Sequence, residues 1–285
     1  MNLVITLDET PQQFRLFCAE GDNARGVHLA GPSMNLNYGV GGSLRLSTSP
    51  SGKSGDWTYF HLLGKSLVWT VDLSNVPCGM NATFYSVHLS QGNGYRDACA
   101  TFPSTTEMDF MEANQYAWHT TLHRKSGDCG SAPPVGVGGT ISDPRYLFYD
   151  FAGHQTQSSL LYGPGTTYTI NTLLPFQAKM DFILNSNNDS TGDLVSVVIT
   201  LSQDGNTIGQ QFHVGNEEYK GWLAAIGKEI GVVDDSQGNV LVWSLWTGNL
   251  NWLESPPCGR GASPRCTDTS CQFTISDISL TTIHV

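Results

Sequence analysis

Short runs of alternating or β-branched residues, each closed by turn formers, recur along the chain and constrain its fold more than any other feature. They read "SLRLST", "WTYFHLLG", "SLVWTVDL", "ATFYSVHL", "TYTINTLL", "QAKMDFILN", "LVSVVITLSQ", "NTIGQQFHV", "NVLVWSLW" and "CQFTISDISLTTI". A side-chain period of two fits a strand, and strands repeated at this spacing predict an all-β sandwich or jelly roll. Only "NEEYKGWLAAIGKEIG" has helical spacing, with Trp222, Ile226 and Ile230 four residues apart and acidic residues in its first turn. That helix reads as an insert on a β framework. The 31 glycines and 13 prolines suit turns between strands, and the Gly/Pro-rich "SGDCGSAPPVGVGG" reads as a surface loop. The expectation is a β-jelly-roll sandwich of two antiparallel sheets, one domain over residues 1–285, without internal repeats.

With 14 basic against 25 acidic residues the net charge is −11, which disfavours nucleic acid and anionic membranes as partners. No apolar run reaches membrane-spanning length. Three of the seven cysteines, Cys258, Cys266 and Cys271, fall in a Pro/Gly/Ser-rich segment, the pattern of disulfide-stapled loops in an oxidising compartment. The odd count leaves at least one thiol without a partner in the chain. The start "MNLVITLDET" lacks the basic and apolar regions of a signal peptide, so an exported protein would have lost its signal beforehand.

One stretch stands apart from this sparsely charged background. "PSTTEMDFMEANQYAWHTTLH" places Glu107, Asp109 and Glu112 among Phe102, Met108, Phe110 and Met111. In a strand, Glu107 and Asp109 share a face, whereas strict alternation sends Glu112 into the core, where an unpaired carboxylate costs several kcal/mol. A β-bulge near Phe110 and Met111 would return Glu112 to the face of its partners. All three carboxylates would then line one concave surface. Crowded carboxylates drive their pKa values apart: one stays ionised to attack an anomeric carbon, while a neighbour holds a proton for the leaving oxygen. A solvated acidic strand or a cation site is the plainer alternative.

At this point the chain resembles glycoside hydrolase family 7, the fungal cellobiohydrolases and endoglucanases, which share a jelly-roll fold with the family 16 laminarinases and lichenases. "EMDFMEANQ" is similar to that family's E-M-D-x-x-E-A-N signature. "FHLLGKSLVWTVDLSNVPCGMNATFYSV", "GGTISDPRY", "LLYGPGTTYTI", "VLVWSLW", "NWLESP" and "FTISDISL" follow in the family's order, so the resemblance spans roughly residues 40 to 285.

The resemblance implies Glu107 as nucleophile, Asp109 as its hydrogen-bonding assistant and Glu112 as acid/base, with His123 near the acid/base. It implies substrate contacts from Asn81 and Tyr85, from Asp97, and from Arg145 and Tyr146 on the leaving-group side. Near Asp97 the chain departs from the family pattern, at Ala98 and Cys99. Trp246 and Trp252 match the two sugar platforms. Strand parity separately sets Trp246 on the face of Ser244, opposite Trp243 and Leu245. Trp57, Trp69 and Trp243 read as core, and Trp118 and Trp222 are left undecided. The resemblance also joins Cys78 to the C-terminal cysteine segment, with Cys266 as the expected partner. Asn81 begins an N-x-T sequon that a cleft position would keep unmodified, and Asn188 is the better glycosylation candidate.

Weaker signals carry little. His119 and His123 have the spacing of a helical metal pair, yet Thr120 and Thr121 argue against a helix. "DDSQGN" and "SNNDSTGD" read as hairpin turns rather than calcium loops, and the "YGVGGS" and "GVGGT" glycines lack the strand–helix setting of a nucleotide loop. No metal and no cofactor is assigned. The leading reading is a secreted, monomeric, retaining endo-β-1,4-glucanase acting on cellulose or a related β-glucan. The alternatives are a mixed-linkage β-1,3/1,4-glucanase or chitosanase with the same mechanism, and a non-catalytic carbohydrate-binding protein. The short connections after Glu112 and between Trp246 and Trp252 predict an open cleft rather than a tunnel.

Overall fold

Seventeen strands and one helix occupy residues 2–18, 26–38, 44–47, 57–90, 105–125, 135–138, 160–185, 193–213, 217–250, 252–253, 258, 266 and 270–283, the part of the chain that the computed structural model describes. The strands are β1 (Asn2–Leu7), β2 (Thr10–Cys18), β3 (Val27–Ala30), β4 (Ser33–Asn37), β5 (Leu44–Ser47), β6 (Lys65–Asn75), β7 (Asn81–Ser90), β8 (Glu107–Ala113) and β9 (Ala117–His123). They continue with β10 (Val135–Gly138), β11 (Tyr162–Gly163), β12 (Ile170–Asn171), β13 (Phe176–Leu184), β14 (Leu194–Gln203) and β15 (Asn206–His213). The helix α1 (Glu217–Ile230) precedes β16 (Gln237–Trp246) and β17 (Gln272–Thr282).

The jelly roll is built from one strand path that folds over itself, β10-β9-β8-β7-β16-β5-β2-β1-β17-β6-β13-β14-β15, while β11 and β12 pair with each other apart from it. One turn of the path is a parallel pair, β1 with β17, and β4 pairs with β17 along the same edge as β1, opposite β6. Aromatic side chains show that the two halves face each other. Trp69 of β6 meets Phe84 of β7 at 5.1 Å, Phe110 of β8 at 6.4 Å and Trp118 of β9 at 6.3 Å. Phe110 in turn meets Phe182 of β13 at 6.1 Å. Each such ring, taken from water to a dry interior, stabilises the fold by roughly 2 to 3 kcal/mol before the ordering entropy is counted. Trp118 thus belongs to the core. Leu223, Ile226 and Ile230 are buried on the inner side of α1, and Gly227 lets the helix close on β14, since a Cβ there would stand 2.8 Å from that of Leu194.

Several segments depart from their sequence pattern. "WTYFHLLG" forms only isolated bridges at Trp57 and Phe60. Its apolar residues divide between two clusters, Phe60, Leu62 and Leu63 entering the main core while Trp57 packs with Tyr85, Val87, Leu89, Val240 and Val242. Trp57 is therefore buried on the outer face of the β7–β16 layer, not between the layers. "TYTINTLL" yields only β12, because the Gln203 side chain takes the place of a ladder: its amide donates to the carbonyls of Asn171, Leu174 and Pro175 and accepts from Asn171 N–H at 2.7 Å. The Gly/Pro-rich stretch after Cys129 is not all loop, since Val135–Gly138 extends the sheet beside β9.

The β1–β2 hairpin turns through Asp8 and Glu9, both at positive φ, 41° and 67°. Such a turn ordinarily uses Asn or Gly. Here the Asp8 carboxylate accepts hydrogen bonds from Thr282 N–H at 2.6 Å and from Lys65 Nζ at 3.1 Å, which offsets the strain and holds the carboxyl below its usual range. "DDSQGN" is a tight Asx turn between α1 and β16, with Asp234 accepting from Ser236 and Gln237. No helix among the described residues is long and apolar enough to cross a membrane.

Candidate active site

The bulge required by the carboxylate pattern is present. Along β7 the partners step from Phe84↔Met111 to Tyr85↔Asp109, and along β9 from Thr121↔Asp109 to His119↔Glu112, so Phe110 is the extra residue. Phe110 and Met111 are both fully buried, and Glu107, Asp109 and Glu112 all return to the opposite face. The carbonyl that the bulge frees from the ladder is met from the core. Thr120 Oγ1 donates to Phe110 O at 3.0 Å and accepts from Trp118 Nε1 at 3.2 Å.

The turn of this hairpin explains the Asn of "EAN". Asn114 Oδ1 accepts from the backbone N–H groups of Tyr116 and Ala117, its amide donates to Met80 O at 3.2 Å, and its own carbonyl accepts from the Tyr162 hydroxyl at 2.8 Å. One side chain closes the turn and fastens it to the neighbouring segments.

Register then lays out the floor. Across the strands, Trp246 of β16 lies opposite Asn81 of β7, Thr83 lies opposite Glu112 of β8, and Glu112 opposite His119 of β9. Asn81 Nδ2 donates to Glu112 Oε1 at 3.3 Å, and His123 Nε2 stands 3.1 Å from Asp109 Oδ2. Burial, reinforced by the Asp109 charge, pushes the Glu112 carboxyl well above the usual carboxylate range; hydrogen bonds from Asn81 and Thr121 temper the rise. The arrangement sets Glu112, its carboxyl shifted towards the protonated form, on the same face as Asp109 and Glu107.

Trp246 and Trp252 stand out from the floor at 36% and 41% exposure, enough for a ring to take a planar apolar ligand. Leu250 and Leu253, packed on Ala117, hold the segment carrying Trp252, whose ring lies 5.7 Å from that of His119. The two indoles thus flank the carboxylates, one from β16 and one above β9.

Of the sequence candidates, Glu107, Asp109, Glu112, Asn81, Tyr85, His123, Trp246 and Trp252 gather on or beside this floor. Asn81 is fully buried. Asp97, Arg145, Tyr146 and Asn188 lie outside the described residues. Other floor residues carry no sequence motif: Thr83, whose hydroxyl lies 2.5 Å from that of Ser244; Thr121; His119; and Arg45, whose guanidinium sits 5.1 Å from the centre of the Trp57 ring. Strand parity counted outward from Asn81 and from the bulge would have found the first three. His119 is on a strand, not a helix, and among the described residues no cluster of His, Cys, Asp or Glu could hold a metal ion.

The staples differ in part from expectation. Cys78 is joined to the C-terminal segment, but to Cys258, while Cys266 pairs with Cys271 five residues away. Thr247, at the start of the same connection, also donates to Gly79 O, next to Cys78, at 2.6 Å. The side chains of Cys18, Cys99 and Cys129 lie outside the described residues.

No protein-family model matches the chain. Endoglucanase EG-1 of Hypocrea jecorina is 29% identical over 286 residues, covering 84% of this chain. Endoglucanase EG-1 of Humicola insolens is 26% identical over 260 residues, covering 70% of this chain. The chain spans 57% of the length of each of these relatives. A family 7 cellobiohydrolase from Daphnia pulex superimposes with a TM-score of 0.65 at 16% identity, over 99% of this chain and 97% of that one. The chain is similar in sequence to these endoglucanases and shares its fold with family 7 glycoside hydrolases. Their jelly-roll fold is also seen in the Humicola insolens endocellulase EGI, which covers 91% of this chain with 79% of its own at a TM-score of 0.62 and 19% identity. A variant of that endocellulase reaches 0.68 at 16% identity over 99% of this chain and 97% of its own.

Proposed function

We propose that the chain is a retaining glycoside hydrolase that cleaves internal β-1,4-glucosidic bonds of cellulose or a related β-glucan. The observation that carries this reading is the bulge, which gathers Glu107, Asp109 and Glu112 on one face between two exposed indoles. Glu107 attacks the anomeric carbon and forms a glycosyl ester while the C1–O bond breaks and the Glu112 proton passes to the leaving oxygen. Water then attacks the same carbon, giving its proton to Glu112 and releasing Glu107. Asp109, with His123 at its far oxygen, orients the nucleophile; Asn81 orients Glu112. Trp246, Tyr85 and Trp252 line the path of the glucan. A solved endoglucanase I of the same fold carries bound cellobiose, which supports a glucan as ligand.

The single domain acts as an extracellular monomer, with an open cleft that releases the polymer after each cut. The test is a panel of soluble β-glucans and chitosan with reducing-end and viscosity readouts, and proton NMR of the first products. Early loss of viscosity with retained anomeric configuration is expected, and Glu107→Gln abolishes hydrolysis while oligosaccharides still bind. Inverted product, or no hydrolysis of any substrate, would overturn the reading.

A further inference from the structure

The hairpin that carries the carboxylates is fastened at its turn by Asn114, but the bulge interrupts the ladder that would carry that order to its open end. Beyond the bulge lie three cross-strand pairs, Asp109 with Thr121, Met108 with Leu122 and Glu107 with His123. A strand can bend and twist at an extra residue. The turn therefore does not by itself determine where Glu107 stands relative to Glu112.

The last turn of α1 meets that open end. Glu229 Oε2 accepts one hydrogen bond from the Thr106 hydroxyl and another, at 3.0 Å, from Lys125 N–H. Thr106 immediately precedes Glu107, and Lys125 follows His123 by two residues. One oxygen thus ties both strands just outside the Glu107 and His123 pair. Thr106 is 2% exposed, and its carbonyl accepts from His88 N–H at 2.9 Å. The His88 ring reaches Val232 O, just beyond the helix, at 2.7 Å, and the Arg124 guanidinium lies 4.5 Å from the centre of the Trp222 ring on α1. A carboxylate in a last helical turn is disfavoured by the helix dipole, and here two charge-assisted hydrogen bonds offset that cost.

We infer that Glu229 is a positioning residue that holds Glu107 at its working separation from Glu112, which makes the inserted helix a brace for the nucleophile. The inference rests on the glycosidase reading. A retaining displacement works at a carboxyl separation of about 5 to 5.5 Å, and misplacement on the order of 1 Å can cost about 100-fold in rate.

The test compares wild type with Glu229→Leu, Glu229→Gln and Thr106→Val on a soluble β-glucan, measuring kcat, KM, the full pH–rate profile and thermal unfolding. Glu229→Leu should lose about 10- to 100-fold in kcat with KM held within roughly two-fold. The acid limb of the profile, which reports ionisation of the nucleophile, should move as well. Glu229→Gln keeps an acceptor oxygen for both donors and should recover most of the rate, and Thr106→Val should show a smaller loss in the same direction. Wild-type kcat and acid limb in Glu229→Leu would overturn the inference, as would a Glu229→Gln protein as impaired as Glu229→Leu. If Glu229→Leu does not fold, Thr106→Val, which leaves the Lys125 tie intact, decides by the same readouts. Active wild type with unaffected variants defeats this inference alone; wild type inactive on every substrate defeats the glycosidase reading and this inference with it.

Discussion

Replacing His119 by leucine should make the protein more resistant to acid, although it alters a buried residue beside the carboxylates. His119 is 1% exposed, neither ring nitrogen has a hydrogen-bond partner among the described residues, and burial pushes its pKa from the usual 6.5 down to about 3. Below pH 6.5 the unfolded chain takes up a proton at this residue that the folded chain refuses. Stability is therefore lost as the pH falls from 6.5 towards 3, at ~1.4 kcal/mol per pH unit once the unfolded form is protonated. That amounts to on the order of 2 kcal/mol at pH 5. Leucine carries no such proton and no orphaned nitrogen, so the variant should match wild type within about 1 kcal/mol at pH 8 and gain on it steadily below pH 6.5. Urea unfolding of both proteins at matched pH values from 8 to 4 gives the difference directly, since other titrating groups contribute to both curves. A difference that does not change with pH would mean that the folded protein does protonate His119, and the burial argument would fail.

Three further outcomes follow from the same geometry. Glu112→Gln should erase the basic limb of the pH–rate profile, because a raised Glu112 pKa sets the pH at which the proton donor is lost; the variant should lose far less activity on aryl glycosides whose leaving group needs no proton. An unchanged basic limb would reassign the acid. Thr120→Val leaves Phe110 O and Trp118 Nε1 without their partner and should cost about 2 to 4 kcal/mol in urea unfolding, with a loss of activity beyond that of a control substitution far from the bulge. Cys258→Ser opens a link between positions separated by 180 residues and should lower stability by up to ~5 kcal/mol; non-reducing peptide maps that show Cys78 joined to Cys266 would refute the pairing.

Strand parity made much of the site legible. The conflict between alternation and a buried Glu112 demanded a bulge, and the bulge lies where Phe110 and Met111 both needed to face inward. Trp246 could be assigned to the outer face because Trp243 and Leu245 had to fill the inner one. What escaped the sequence depends on partners remote along the chain. Nothing local marks Gln203 as the side chain that satisfies Asn171, or Asp8 and Glu9 as a left-handed turn rescued by Thr282. The β1–β2 hairpin was missed for the same reason, its turn lacking Gly and Asn. Cys258 could not be chosen over Cys266 because spacing does not reveal which of the two lies beside Cys78 in the fold.

The parallel pairing of β1 with β17 has a consequence for how the chain is made. Residues near position 6 wait for partners near position 279, and β6 likewise waits for β17, so the closing of both layers depends on a segment synthesised long after the strands it joins. Until then the inward rows of Trp69, Phe84 and Phe110 lack part of their enclosure, and the edges of β1 and β6 present open backbone to other nascent chains. Contacts of such long sequence separation also fold slowly. Production of this protein should accordingly be limited by misassembly during synthesis, and lower temperature or slower translation should raise the soluble yield more than any strengthening of the finished core.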